Sequence, residues 1–197
     1  MARVLAVLAL LLALTGCATP TTLTPTGSAP TAQADTAGVV AAPVAVSIPA
    51  IGAHSTLIPL GLNPDGSLAV PPVTEPGQAS WYMQGNYGVV PGQPGPALIS
   101  GHVSGRQDGA PVPGVFARLH ELGPGDEVIV DRDGADPLVF RVTVVETYDK
   151  DAFPWDRVAA DTATPQLRLI TCGGLLGEAP DGSRSYESNV VAYAVLA

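Results

Sequence analysis

From Val44 onward the chain alternates short apolar runs with clusters of glycine, proline and aspartate, and no apolar pattern of helical period is sustained. The runs predict strands over Val44–Ile48, Thr56–Leu60, Ser67–Val70, Ala97–Ser100, Glu127–Val130, Leu138–Thr147, Gln166–Thr171 and Asn189–Leu196. The clearest alternation puts Leu138, Phe140, Val142 and Val144 on one face and Val139, Arg141, Thr143 and Val145 on the other. Turn chemistry separates the runs at Asn63-Pro64-Asp65-Gly66, Gly123-Pro124-Gly125-Asp126 and Asp131-Arg132-Asp133-Gly134. Phe116–Leu122 and Trp155–Ala160 each predict a short turn of helix. Many short strands at this spacing define an all-β fold: a closed or nearly closed barrel, or a sandwich.

The first part of the chain has a different texture. Val4 to Leu14 is unbroken apolar sequence behind a single cation, Arg3. It falls short of the about 20 apolar residues that cross a bilayer and suits the apolar region of a signal peptide. The run closes on Leu14-Thr15-Gly16-Cys17, which resembles the bacterial lipoprotein signal, whose cysteine is alkylated by diacylglycerol and becomes the first residue. Residues 18–43 are dominated by Thr, Ala, Pro and Gly with one charge, Asp35, and bury too little to offset their ordering entropy. The expected organisation is a signal peptide over 1–16, a lipidated flexible tether over 17–43 and a folded domain over 44–197. Such a chain is exported and held by lipid at the extracytoplasmic face of the membrane.

Composition narrows the chemistry. Nine Lys and Arg stand against eighteen Asp and Glu, a net charge of −9, so a basic stripe for nucleic acid is excluded. No acidic cluster has the spacing of a calcium loop, so neither metal nor other cofactor is expected. Once Cys17 is lipidated, Cys172 is the remaining thiol of the two in the chain. It ends the run Leu167-Arg168-Leu169-Ile170-Thr171 and is followed by Gly173-Gly174, a placement that suits packing or a presented nucleophile. A catalytic thiol needs a base and donors for an oxyanion. Of the three histidines, His54 and His120 fall in polar surroundings that read as solvated surface. His102 follows the apolar run Ala97–Ser100 through Gly101 and so also sits at a strand end. Past Cys172 the one arginine is Arg184, in a polar loop before the last strand, where it can serve an oxyanion or pair with Glu178 or Glu187.

The order His102, Cys172, Arg184, with Leu167-Arg168-Leu169-Ile170-Thr171-Cys172 ahead of the thiol, resembles the sortases. The resemblance extends to the actinobacterial class F group through Ile48-Pro49-Ala50-Ile51-Gly52, Asp65-Gly66-Ser67-Leu68-Ala69-Val70-Pro71, Pro94 to Val103, Leu122 to Val128 and Asn189-Val190-Val191. It covers residues 46–196 and implies an eight-stranded closed β-barrel. It also implies a cysteine transpeptidase in which the thiolate attacks the Thr-Gly carbonyl of an LPXTG-like sorting signal. An amine acceptor, such as a cell-wall precursor, then resolves the thioacyl enzyme. Carried across, Cys172 is the nucleophile, His102 the general acid and base, and Arg184 the cation for the oxyanion or the substrate. Thr171 supports the thiol as a donor, and Arg168, within the strand and expected to face away from the thiol, is the fallback cation. The partners implied are a sorting-signal peptide and an amine, with the enzyme a monomer.

Other exported Cys/His enzymes fit less well. The Ser-x-Gly-Cys-x-Arg segment of L,D-transpeptidases is missing, and hydrolases of the NlpC type place the cysteine before the histidine. A non-catalytic or hydrolytic lipoprotein with a peptide-binding barrel is the remaining alternative.

Overall fold

Alternating runs without helical period give strands, and nearly every described element is one. The structure, a computed structural model, describes residues 40–83, 88–178 and 184–197, with the side chains of Glu178 and Arg184 outside the description. In chain order the strands are β1 (Pro43–Ile48), β2 (Ala53–Leu60), β3 (Ala79–Tyr82), β4 (Gly95–Gly101), β5 (Ser104–Gln107), β6 (Ala110–Pro113), β7 (Glu127–Arg132), β8 (Ala135–Asp149), β9 (Pro165–Glu178) and β10 (Arg184–Leu196). Eight of them close into a barrel in the order β1-β2-β3-β4-β9-β10-β8-β7, and β5 and β6 form a separate hairpin. The eight-stranded barrel expected from the sequence is the fold.

Closure removes the unpaired edges that an open sheet exposes. The interior takes one residue in two from each strand: Val46 and Ile48, Ala97 and Ile99, Val128 and Val130, Phe140 and Val142, Leu167 and Leu169, Ala192 and Ala194. Phe116 and Leu119, in the turn after β6, close one end, and Leu119–Glu121 forms the 3-10 turn expected there. On the outside, Val158, Val191 and Tyr193 make a smaller cluster with Phe153, Tyr148 and Ile170 packed on it. It is roofed by the 3-10 turn Lys150–Ala152 and by α1 (Trp155–Val158), the second expected helical turn.

Three expectations change. Ser67–Val70 is not a strand; apart from a single bridge between Leu62 and Leu68 it crosses the barrel as irregular backbone. The β2–β3 connection needs that length because these two strands run parallel. Ala79–Tyr82 is a strand too short to show a period. In β8 the alternation changes phase: a bulge opposite Tyr193 and Ala194 leaves Thr143 unpaired in the ladder, and its hydroxyl donates to the Tyr193 carbonyl. Phe140 and Val142 therefore point inward while Val144 packs on the outer cluster and Val145 returns to the core, the reverse of a straight two-residue repeat.

Candidate active site

The parallel pairing of β4 with β9 creates the site. Its register runs from Gly95 opposite Pro165 to Ser100 opposite Ile170, so both strands run out at the same rim of the barrel. Side chains alternate along each: Ala97, Ile99, Leu167 and Leu169 fill the core, while Ile170 packs on the outer cluster. Two residues beyond Ser100 is His102, and two beyond Ile170 is Cys172. Carried two residues past the last pair on each chain, the shared direction brings imidazole and thiol to the same rim, where both line one cavity. On the other side of β9 the antiparallel ladder sets Asn189 opposite Cys172, and Tyr148 of β8 opposite Asn189.

Cys172 is a free, half-buried thiol. It opens with His102, Asn189 and Lys150 on a cavity of about 420 Å³ whose remaining walls include Leu68, Val70, Phe153 and Trp155. A second cavity, of about 470 Å³, meets Cys172 and His102 from the side of the β5–β6 hairpin and brings Arg106, Ser104 and Tyr186 to the thiol. The Ser104 and Tyr186 hydroxyls are hydrogen-bonded at 2.8 Å, tying that hairpin to β10. The thiol therefore borders an apolar recess and a second one with a more polar lining.

The histidine is held by the irregular segment that crosses the barrel. His102 Nε2 lies 2.6 Å from the Pro71 carbonyl, and because a carbonyl only accepts, Nε2 carries a proton. Nδ1 is then the nitrogen left to accept one. The same segment is fixed a residue pair earlier, where the Tyr82 hydroxyl donates to the Ala69 carbonyl. Burial, opposed by a contact with Ser100, pushes the Tyr82 phenol above its usual range, so it stays a donor. Thr171 is 4% exposed and points toward the core, and its Oγ1 has no hydrogen-bond partner among the described residues.

The predicted residues fare differently. His102, Cys172 and Thr171 line one cavity. His54 is exposed and bonded to Ser47; His120 is exposed too, yet it borders a third recess that reaches Cys172. The backbone of Arg184 opens β10 opposite Glu178, about 16 Å of strand before Asn189, and its side chain is outside the description. Arg168 shares the face of Ile170 and Cys172, contrary to expectation. Its guanidinium is nonetheless spent on the Val158 and Leu167 carbonyls, Gln166 and the Tyr193 ring, so it contributes no charge to the cavity. Cys17 lies outside the described residues. The glycines after the thiol do structural work: a Cβ on Gly173 would meet Val190 at 2.7 Å, and Gly174 has φ +76°, both serving the irregularity at which the pairing with β10 shifts register before it resumes. Sequence reasoning missed Asn189, Tyr82 and Lys150. The first two belong to pairings no local pattern reveals, but Lys150 left a trace as the one lysine in the chain. Among the described residues no group of His, Cys, Asp and Glu is arranged to hold a metal.

A closed β-barrel with a thiol on one strand and an imidazole just past its parallel neighbour, both on one recess, has the groups that cysteine-dependent acyl transfer requires. The Sortase domain model matches residues 46–197, and the chain belongs to the sortase family, cysteine transpeptidases that act on sorting-signal peptides and amine acceptors. Solved structures agree on the fold. A lid mutant of sortase A from Corynebacterium diphtheriae is 18% identical with a TM-score of 0.54, over 81% of this chain and 72% of that one. A sortase D5 transpeptidase from Clostridium perfringens is 18% identical with a TM-score of 0.52, over 79% of each chain. The pilus-related sortase C of Group B Streptococcus is 13% identical with a TM-score of 0.55, over 81% of this chain and 69% of that one. No curated protein matches significantly.

Proposed function

We propose that this protein is an exported, lipid-anchored sortase of the actinobacterial class F kind that cleaves an LPXTG-like signal and transfers it to an amine. The observation that carries the reading is that His102 and Cys172 line one cavity at the rim where the parallel strands β4 and β9 run out. Cys172 attacks as thiolate; the S–C bond forms and the carbonyl electron pair moves to oxygen. Collapse of that intermediate breaks the C–N bond, and the imidazolium of His102 gives the departing amine its proton, leaving a thioester and neutral imidazole. The acceptor amine then attacks, loses its proton to His102 and expels the thiolate. While Pro71 holds Nε2, the nitrogen free for these transfers is Nδ1. The apolar recess suits the Leu-Pro part of the acyl segment, and the polar recess beside Ser104 suits the leaving peptide and the incoming amine. Arg184 enters as the cation that the family resemblance implies.

The test is mass spectrometry of the full chain with a panel of Leu-Pro-x-Thr-Gly peptides, with and without a small amine. A thioacyl adduct on Cys172, absent from Cys172→Ala, is expected. Cys172→Ala turning over at the wild-type rate would end the reading. Product that is hydrolysed even when amine is abundant would favour the hydrolytic alternative.

A further inference from the structure

Oxyanion chemistry at Cys172 calls for a positive group on its cavity, and the described residues offer one from the turn that follows β8. β8, β10 and β9 align Tyr148, Asn189 and Cys172 in one row across the sheet. Lys150 lies two residues past Tyr148, where β8 has just ended in the 3-10 turn Lys150–Ala152. It lines the same cavity as Cys172, His102 and Thr171. Its ammonium donates to the Ser185 hydroxyl at 2.8 Å, a neutral partner. Among the described residues no carboxylate lies within ion-pair distance of it. Asp149 and Asp151, its neighbours in sequence, make no ion pair, and Asp149 instead accepts from Ser188. The other cations near this end of the barrel are committed. Arg157 pairs with Glu146, and Arg168 is buried on carbonyls. Arg106, at the polar recess, is turned to the Gly109 carbonyl of its own hairpin.

We propose that Lys150 is a catalytic residue of this transpeptidase: its ammonium donates to the substrate carbonyl oxygen as that oxygen becomes negative in the adduct with Cys172. The inference rests on the transpeptidase reading above and replaces Arg184 as the principal cation. Three features make the assignment. Lys150 lines the cavity that holds Cys172, and its ammonium, resting on Ser185, is carried by a flexible four-carbon stem. Its partner is a hydroxyl, easily exchanged for a stronger acceptor. Phe153 and Trp155 line the same cavity, and apolar walls strengthen an electrostatic contact made there. No proton moves to or from Lys150 in the step. It compensates the charge on oxygen, and His102 carries the proton.

Single-turnover thioacylation of the full chain by the Leu-Pro-x-Thr-Gly panel tests this. Lys150→Met is expected to slow adduct formation on the order of 100-fold, the usual loss of one oxyanion donor, with little change in KM. Lys150→Arg should restore part of the rate. Iodoacetamide labelling of Cys172 and the melting temperature should stay near wild type in both, since a purely structural lysine would move those instead. A second readout uses the single lysine: in Cys172→Ala, bound peptide should protect Lys150 from acetylation by an N-hydroxysuccinimide ester. Lys150→Met reacting within twofold of wild type, or Arg184→Ala alone collapsing the rate, overturns the assignment while leaving the transpeptidase standing. A wild type that reacts with no peptide sinks the transpeptidase reading and this inference with it.

Discussion

The Thr171 hydroxyl, next in sequence to the thiol, is buried and unpaired among the described residues. An unsatisfied buried polar atom costs about 1–3 kcal/mol, so a position that keeps one is serving something other than the resting fold. Thr171→Val keeps the shape and removes the hydroxyl. The variant is expected to be more stable than wild type by about 1–2 kcal/mol in denaturant unfolding. Its turnover should fall about tenfold, the equivalent of one hydrogen bond made only as substrate or thiolate appears. A variant unchanged in both would mean that the hydroxyl is a passive feature of the strand. The sequence showed Thr171, Cys172 and His102 because each ends an apolar run at a small or polar residue, a local signal. It could not show which way a guanidinium turns: Arg168 is on the thiol's face yet bonded away from it.

At the scale of elements, His102 depends on the turn that follows β6. The amides of Gly114 and Phe116 donate to the carbonyls of Val103 and His102, each at 3.0 Å, clamping the backbone beyond β4. A Cβ on Gly114 would stand 2.0 Å from the His102 carbonyl oxygen and 3.0 Å from its Cβ, contacts that only a backbone shift relieves. Gly114→Ala should therefore displace the imidazole without touching Cys172. Turnover is expected to drop at least about tenfold, since small misplacements of a catalytic group are costly, while iodoacetamide still labels the thiol. Turnover within twofold of wild type would show that the site tolerates movement of β4. Most strands were legible from their alternation, but their partners were not. Parallel contacts between β4 and β9 join segments far apart in the chain, and nothing in either run specifies direction. The β8 bulge escaped for a related reason: a phase change needs only one extra residue, and Thr143 is as acceptable in a straight strand as in a bulge.

At the scale of the whole molecule, the acidic barrel and the segment before it pose the question of where the enzyme works. The chain carries a net charge of −9, so electrostatics alone gives it no reason to rest on an anionic membrane. No helix among the described residues is long and apolar enough to cross one. The lipid anchor proposed above places its attachment at Leu14-Thr15-Gly16-Cys17. A single acyl chain binds a bilayer weakly, whereas diacylglycerol on Cys17 brings two and holds stably. Pro43 already pairs with Arg132 in β1, so the tether proposed for residues 17–43 has the barrel itself as its far end. The expected outcome is that the full-length protein partitions with membranes and takes up an alkyne fatty acid, and that Cys17→Ser does neither. Thioacylation of Cys172 by soluble peptide should be equal in the two proteins, because lipid changes location and not the cavity. Equal fatty-acid labelling of wild type and Cys17→Ser would place the lipid elsewhere, and membrane retention of an unlabelled Cys17→Ser protein would point to the uncleaved apolar segment as the anchor.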